Sequence, residues 1–425
     1  MAGLADEVGL VLTGGGARGA YESGVLTYLH ERVAPAVGVE RLFDLYAGTS
    51  AGALNACAMA AGADAPAEMA RHLQAYWRSI HLGRIFNFGM REVAQLPELF
   101  FGRGRRMARR WLDMGPPLRH APHPPVAGVF DTQPLAQDMA RLVPWEALQG
   151  HLQGGLVKGV ALCVTELCTS KSVVFHQMAP GHAFAGYANQ GREARAVRLG
   201  AAHALASSAI PFLFPAVQVD GICYVDGALR QNTPLNPVLR MGARKVVIVG
   251  LSRDAASRHR SARMGCRLNP MPGSLFLLGR TVNALSEGTL DYELSRLEMI
   301  NSLLRSGCAR YGDEFSELFN RAASPFRAAS FREVQTLTLR PSVSLDRLAF
   351  EAVQEAPGEV RMPGAPGRLV GAMLRSEAVL DSGLASFLLF TPTFVDKCMD
   401  LGYQDAQRQH HALVAFFQAP AAGQG

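Results

Sequence analysis

The sequence predicts an α/β fold, in which a mainly parallel central sheet is flanked by helices. Three observations predict it. Residues 8–62 alternate short apolar strands with helical segments, two glycine-rich turns each stand between a strand and a helix, and the alternation resumes from about residue 129. Of the 425 residues, 48% are hydrophobic and 18% charged, which is typical of a globular protein with a substantial core.

The first elements follow one another closely. An apolar strand begins at residue 8, a helix fits residues 19–33, and a second strand leads into an alanine-rich helix that ends at Gly62. Residues 63–101 are predicted to be mostly helical. The segment 102–128 is rich in arginine and proline, so we expect an exposed, lid-like insertion there.

The later elements complete a predicted catalytic domain over residues 8–250. Two paired strands, a helix, a strand that enters an Asp-Gly turn, and a final helix and strand are predicted at 156–167, 172–178, 197–209, 222–229 and 234–252. Residues 251–412 are predicted as a mainly helical region that packs on this core, with one strand near 334–342. The end, 413–425, is predicted to be a disordered tail.

The first glycine-rich turn fits the pattern G-x-G-x-x-G at Gly14, Gly16 and Gly19. Its backbone N–H groups could bind the pyrophosphate of a dinucleotide or an oxyanion that forms during acyl transfer. A Rossmann domain also needs an acidic residue about 20 positions further on, for which Glu40 and Asp44 are only roughly placed. A P-loop is excluded, because Ala20 and Tyr21 follow Gly19 where lysine and serine or threonine are required.

The second turn contains G-x-S-x-G at Gly48, Ser50 and Gly52, the pattern of a nucleophile elbow between a strand and a helix. The alternative is a serine that only caps the helix. A nucleophilic serine also needs a base. Asp226 ends an apolar strand, and Gly227 leaves room for close approach, so we take Asp226 as the candidate base.

A Ser–His–Asp triad finds little support in the sequence. The last 200 residues contain three histidines, and none of them follows an apolar strand; they are His259, His410 and His411.

The combination of motifs resembles the patatin-like phospholipase family. GGGARG at 14–19, GTSAG at 48–52 and DGA at 226–228 match the three motifs of that family in order and spacing, although the third reads D-G-A instead of D-G-G. The segment ASSAIPFLFPAV before the aspartate and NTP after it are also similar to the family. The resemblance covers roughly residues 8–250 and rests on three motifs that must coincide.

The resemblance implies a lipid acyl hydrolase with a Ser–Asp dyad and no catalytic histidine. Ser50 would be the nucleophile, Asp226 the base that accepts its proton, and the turn Gly14–Gly15–Gly16 the oxyanion hole. Supporting positions of the three motifs would be Arg18, Gly19, Gly48, Gly52, Gly227 and Ala228. The substrate would be a phospholipid or lysophospholipid ester, with no metal and no organic cofactor. Two alternatives stay open: a Rossmann-type dinucleotide-binding protein and a non-catalytic lipid-binding relative.

Charge and composition give weaker expectations about partners and location. The net charge is +6. The insertion carries a cluster of arginines that could dock on anionic membrane lipids, or it could be an ordinary solvated loop. The cluster consists of Arg103, Arg105, Arg106, Arg109 and Arg110. No aromatic residues are interleaved as a nucleic-acid site requires. We expect no transmembrane segment, no signal peptide and, from seven scattered cysteines, a reduced cytoplasmic protein that contacts membranes only peripherally.

Overall fold

The computed structural model describes residues 7–85, 132–187, 191–211, 213–253, 274–287, 289–312, 314–324, 329–360 and 364–420. The predicted insertion 102–128, with its cluster of five arginines at 103–110, lies outside the described residues, as does His259.

The strands of the described residues form one mostly parallel sheet, as the sequence predicts. The order is β5-β4-β3-β2-β1-β8-β9, while β7 pairs with β3 and β6 pairs with β7. Antiparallel pairs are confined to β3–β4, β3–β7 and β6–β7. The bounds are β1 Val8–Leu12, β2 Leu45–Thr49, β3 Gly159–Glu166, β4 Ser172–Met178, β5 Arg192–Ala196, β6 Val217–Val219, β7 Ile222–Asp226, β8 Lys245–Val249 and β9 Gln335–Leu339.

Helices flank the sheet and fill most of the C-terminal region. Up to residue 250 they are α1 Gly19–Tyr28, α2 Ala34–Val37, α3 Ala51–Ala61, α4 Pro66–Ser79, α5 Leu82–Ile85, α6 Gln133–Leu142, α7 Trp145–Gln153, α8 Ala201–Ser207 and α9 Leu235–Met241. Beyond it they are α10 Ser274–Glu287, α11 Thr289–Tyr311, α12 Glu314–Ala323, α13 Leu345–Glu355, α14 Gly364–Leu374, α15 Glu377–Ser382, α16 Leu384–Leu388, α17 Pro392–Arg408 and α18 His410–Gln418. No described helix is long and apolar enough to cross a membrane.

The central strands are buried on both faces, which explains their continuous apolar runs. Alternate residues of β1 belong to different hydrophobic clusters: Leu10 and Leu12 pack with α1, α3 and α17, whereas Val11 packs with α9 and α11. Helices α1 and α17 approach closely, because Gly24 lies against the Met399 carbonyl and Gly402 against the Tyr21 carbonyl. A side chain at either glycine would separate the two helices.

The mainly helical C-terminal region contributes one strand, β9, to the sheet. Strand β9 pairs in parallel with β8, so the boundary predicted at residue 250 runs between two strands that hydrogen-bond each other. The sequence predicts this strand, near 334–342, but not its pairing with β8.

The predicted disordered tail 413–425 begins too early. Helix α18 continues through Gln418, and the buried side chains of Leu413 and Phe417 hold it to the core. The Phe417 ring packs edge-on against Phe43, and the Lys245 ammonium donates to the carbonyls of Phe417 and Ala419. The prediction is wrong for residues 413–418, because two apolar residues four positions apart can anchor a terminal helix. Residues 421–425 lie outside the described part of the chain.

Candidate active site

Ser50 occupies a sharp turn between β2 and α3. Its backbone φ is 56° and its ψ is −126°, a conformation that non-glycine residues rarely adopt. The glycines on either side permit this turn, because a Cβ at Gly48 would collide with the Gly52 backbone and one at Gly52 with the Leu12 carbonyl. The Ser50 side chain makes no capping hydrogen bond to α3, so the interpretation as a simple helix cap is not supported.

Strand β3 holds the serine turn and Asp226 side by side. Cys163 of β3 pairs with Thr49, the last residue of β2, and Val164 pairs with Asp226, the last residue of β7. Gly227 follows directly, and a Cβ there would collide with the Cys163 carbonyl. The register of three strands therefore places the candidate nucleophile beside the candidate base.

The Asp226 carboxyl group is buried and interacts with the Ser50 side chain. Both residues are 3% exposed. Burial raises the pKa of Asp226 to about 6, while hydrogen bonds from the Ala228 N–H and the Ser50 hydroxyl oppose that rise. The Ala228 nitrogen lies 2.8 Å from Asp226 Oδ1. At neutral pH the group is mostly ionised, and it is a stronger base than a solvated aspartate.

The glycine turn packs against the elbow, but its three N–H groups differ. A Cβ at Gly14 would lie 3.1 Å from the Ser50 Cβ, so the two turns are in contact. The Gly14 N–H already donates to the Asn232 carbonyl at 3.1 Å, so its predicted place in an oxyanion hole is not supported. Among the described residues, no carbonyl accepts the N–H of Gly15 or Gly16. These two groups remain as candidate donors.

Arg18 is buried and fixes the glycine turn to the C-terminal region. Its Nε donates to Ser386 Oγ at 2.7 Å, and one terminal nitrogen lies 2.5 Å from Asp346 Oδ1. The same nitrogen also donates to Asn283 and to the Gly383 carbonyl. The guanidinium stacks 3.8 Å from the centre of the Phe387 ring. Sequence reasoning gave Arg18 a supporting role but could not find these partners.

A second buried network was missed by sequence reasoning. Glu22 of α1 accepts the Thr13 N–H at 2.7 Å and the Asn55 side-chain amide at 2.8 Å. Asn55 in turn accepts the Trp77 indole N–H. Burial raises the pKa of Glu22 well above its usual value. The available signal was a charged residue within a segment that is otherwise small and apolar.

An apolar cleft opens beside Ser50. Its cavity volume is about 40 Å³, and Gly16 lines it together with the serine. Trp77 and Phe390 stack nearly parallel along it, with ring centres 6.5 Å apart. The other lining residues are mostly aliphatic or aromatic: Leu54, Tyr76, Ile80, Ile85, Leu135, Met139, Ile210 and Phe214.

The structure does not bring the other candidates to this site. His410 lies on α18, where its Nδ1 is 3.0 Å from the Tyr28 hydroxyl, and His411 is exposed beside it. Asp44 precedes β2, accepts the Val8 N–H and pairs with Arg41, so it lies at the opposite edge of the sheet from the glycine turn. Within the described residues, no three His, Cys, Asp or Glu side chains group as metal ligands would.

The fold and this site define an α/β protein with a serine elbow, a buried aspartate and a glycine turn at one edge of a mostly parallel sheet. The family model described as "Patatin-like phospholipase" matches residues 10–239, more than half of the chain. The chain therefore belongs to the patatin-like phospholipase family.

Similar solved structures include human GIVD cytosolic phospholipase A2 in complex with methyl gamma-linolenyl fluorophosphonate and VipD from Legionella pneumophila. The human protein is 14% identical with a TM-score of 0.39, and the match covers 97% of this chain and 58% of that one. VipD is 14% identical with a TM-score of 0.28, covering 91% of this chain and 67% of that one. This chain thus spans less than two thirds of the human protein. None of the curated proteins compared with it matches.

Proposed function

We propose that the protein hydrolyses acyl esters of lipids, with a phospholipid or lysophospholipid as substrate, through a Ser50–Asp226 dyad. One observation carries this proposal: a strained, buried serine lies next to a buried carboxylate whose pKa it lowers, beside a glycine turn with N–H groups to donate. The family supports the same reaction class.

The reaction needs no group beyond those at the site. Asp226 accepts the proton of Ser50 as the hydroxyl oxygen attacks the ester carbonyl. The resulting oxyanion accepts hydrogen bonds from the N–H groups of Gly15 and Gly16. The tetrahedral intermediate collapses, protonated Asp226 gives its proton to the departing alcohol or lysolipid oxygen, and an acyl-serine remains. Asp226 then takes a proton from the water that attacks the acyl-serine, and it returns this proton to the Ser50 oxygen as the fatty acid leaves.

The apolar cleft favours a lipid acyl chain over a polar substrate. A chain bound along Trp77 and Phe390 would bury hydrocarbon at about 25 cal/mol per Å² and place its ester carbonyl at Ser50. A non-catalytic lipid-binding relative would share this cleft. It would not need the strained serine or the buried carboxylate next to it, so the hydrolase is the better-supported proposal.

The experiment combines fluorophosphonate labelling with a lipid panel. We expect the wild-type chain to label and to release fatty acid, and Ser50→Ala to do neither. Ser208→Ala is the matched control, because Ser208 is a buried serine in the same cleft whose hydroxyl donates to the Ala204 carbonyl. If wild type and Ser50→Ala are equally inert, or Ser208→Ala also abolishes labelling, the dyad proposal fails. Saturable NAD binding would instead favour the dinucleotide alternative.

Membrane contact stays a prediction. The five clustered arginines at 103–110 lie outside the described residues, so their docking role rests on composition alone. The cytoplasmic location is likewise a prediction from the sequence.

A further inference from the structure

A second, larger cavity lies on the other face of the sheet from the acyl cleft. It has a volume of about 570 Å³ and is bounded by α9, α11 and the segment 330–334. Leu235, Leu297 and Val334 on its walls belong to the hydrophobic cluster that excludes the residues around Ser50. Its size falls in the range of small-molecule sites, and nothing in the proposed hydrolysis uses it.

The charge of this cavity is strongly unbalanced. Among the described residues that line it, one is a carboxylate, Glu293, and five are arginines: Arg192, Arg230, Arg240, Arg296 and Arg332. Arg230 and Arg296 are exposed at the rim, whereas Arg240 is buried and Arg192 and Arg332 are half-buried. Positive charge is thus carried from the surface to the cavity floor.

The inner arginines are held by neutral groups. Arg240 donates to Asn236 Oδ1 at 2.8 Å and to the carbonyls of Ala185 and Gly186, and its guanidinium stacks on the Tyr187 ring. These contacts orient the guanidinium but leave its charge in place. Burial lowers the pKa of Arg240, and the neighbouring Arg192 lowers it further.

Arg332 repeats this arrangement. It donates to the Leu239 carbonyl at 2.7 Å; burial and like-charge repulsion from Arg244 lower its pKa, and Glu7 partly opposes this. Within the described part of the chain, no carboxylate forms an ion pair with any of the five arginines of the cavity. Desolvated, uncompensated cations are costly, and an anionic ligand is what would offset that cost.

Glu293 supplies only part of the missing charge. It lies within electrostatic range of Arg192 and Arg296, yet its Oε2 is buried without a hydrogen-bond partner among the described residues. Burial raises the pKa of Glu293 to about 7, so the group is only partly ionised at neutral pH. The Tyr187 hydroxyl nearby is also buried and unpartnered in the described structure. The Glu293 Oε2 and Tyr187 hydroxyl oxygens therefore have no hydrogen-bond partner among the described residues, although arginines line the cavity.

We propose that this cavity binds a multiply charged phosphate group. Planar guanidinium groups match phosphate oxygens in a bidentate manner. The volume accommodates more than one phosphate on a small scaffold. A soluble polyphosphate and a phosphorylated lipid headgroup share this chemistry.

The test is calorimetric titration of the full chain with inositol hexakisphosphate and with pyrophosphate, at pH 8 and low salt. Arg192→Gln and Arg296→Gln should each weaken binding about tenfold, because each removes a charge-assisted contact. Arg310→Gln is the matched control, since Arg310 is an exposed arginine on the same helix, α11, outside the cavity. Its dissociation constant should equal that of the wild type.

Glu293→Gln gives a signature that a misfolded protein cannot produce. At pH 8 the carboxylate is mostly ionised and opposes an anion, so its replacement should tighten binding several-fold. Ser50→Ala should bind like the wild type, so this inference and the proposed hydrolysis can fail separately.

Vesicles distinguish the two sources of the phosphate. Phosphatidylcholine vesicles that carry phosphatidylinositol bisphosphate should bind with the same arginine dependence if the ligand is a lipid headgroup, and binding only in the soluble arm identifies a free polyphosphate. The proposal is overturned if no probe binds, if Arg310→Gln weakens binding as much as the cavity variants, or if Glu293→Gln fails to tighten it.

Discussion

The raised pKa of Asp226 makes a quantitative prediction about the pH dependence of hydrolysis. Only the ionised carboxylate can accept the proton of Ser50, so kcat/KM should follow its fraction in the free enzyme. With a pKa of about 6, this fraction is about nine-tenths at pH 7 and about one-tenth at pH 5. Activity should therefore fall about tenfold between these values. An aspartate with its ordinary pKa would change by less than about a tenth.

The assay is kcat/KM for a short-chain nitrophenyl ester below its micelle concentration, followed at the isosbestic wavelength of the product from pH 4.5 to 8.5. One rising limb is expected, with a plateau above pH 7, because no histidine or other acid takes part. Asp226→Asn should lose activity at every pH. A profile that is flat between pH 5 and 7, or that falls above pH 7, would refute the assignment of Asp226 as the base.

Four further outcomes follow from the same contacts. Asp226→Asn should stabilise the fold by up to about 3 kcal/mol at pH 8 but not at pH 4. The pKa of Asp226 is about two units higher in the folded than in the unfolded chain, so the ionised carboxylate destabilises the fold as the pH rises through about 6. Equal shifts of the melting temperature at pH 4 and pH 8 would contradict this. Gly16→Ala should lower kcat about 10²–10³-fold, because φ is +55° and its Cβ would meet the Phe387 carbonyl; a loss under threefold would count against this donor. Arg18→Met should lower the free energy of unfolding by about 2–3 kcal/mol and lower kcat more than it changes KM. The expected loss is smaller than for a fully buried ion pair, because the Asp346 side chain is 34% exposed. An unchanged melting temperature would argue against this anchor. Replacing Arg103, Arg105 and Arg106 of the insertion with Gln should weaken binding to anionic lipid vesicles by about 1 kcal/mol per residue. Binding that does not depend on salt would exclude docking through these arginines.

The sequence predicts the sheet and the serine–aspartate pair well, because local patterns encode both. A strand that ends in a glycine turn places its last side chain at the end of the sheet. Parallel strands bring their carboxyl ends to the same edge, so such side chains are expected to lie close together. The partners of Arg18 could not be predicted in this way. Its Nε contacts a serine 368 positions away, and no local pattern records which segment covers a buried guanidinium.

Hydrogen-bond competition also escapes a sequence motif. The three glycines of the first turn are equivalent as letters, yet the Asn232 carbonyl takes the N–H of Gly14 and leaves those of Gly15 and Gly16. The arginines of the second cavity were invisible for a related reason. They come from five separate elements and meet only when α9 and α11 pack on the sheet.

The anchoring of Arg18 has a consequence for the timing of synthesis. The glycine turn leaves the ribosome hundreds of residues before the groups that hold its guanidinium, at Asp346, Gly383 and Ser386. Strand β9 likewise joins the sheet after the other strands have been made. An unfinished chain therefore carries Ser50 and Asp226 without a fixed glycine turn. We expect the proposed hydrolysis to begin only once synthesis has passed Ser386.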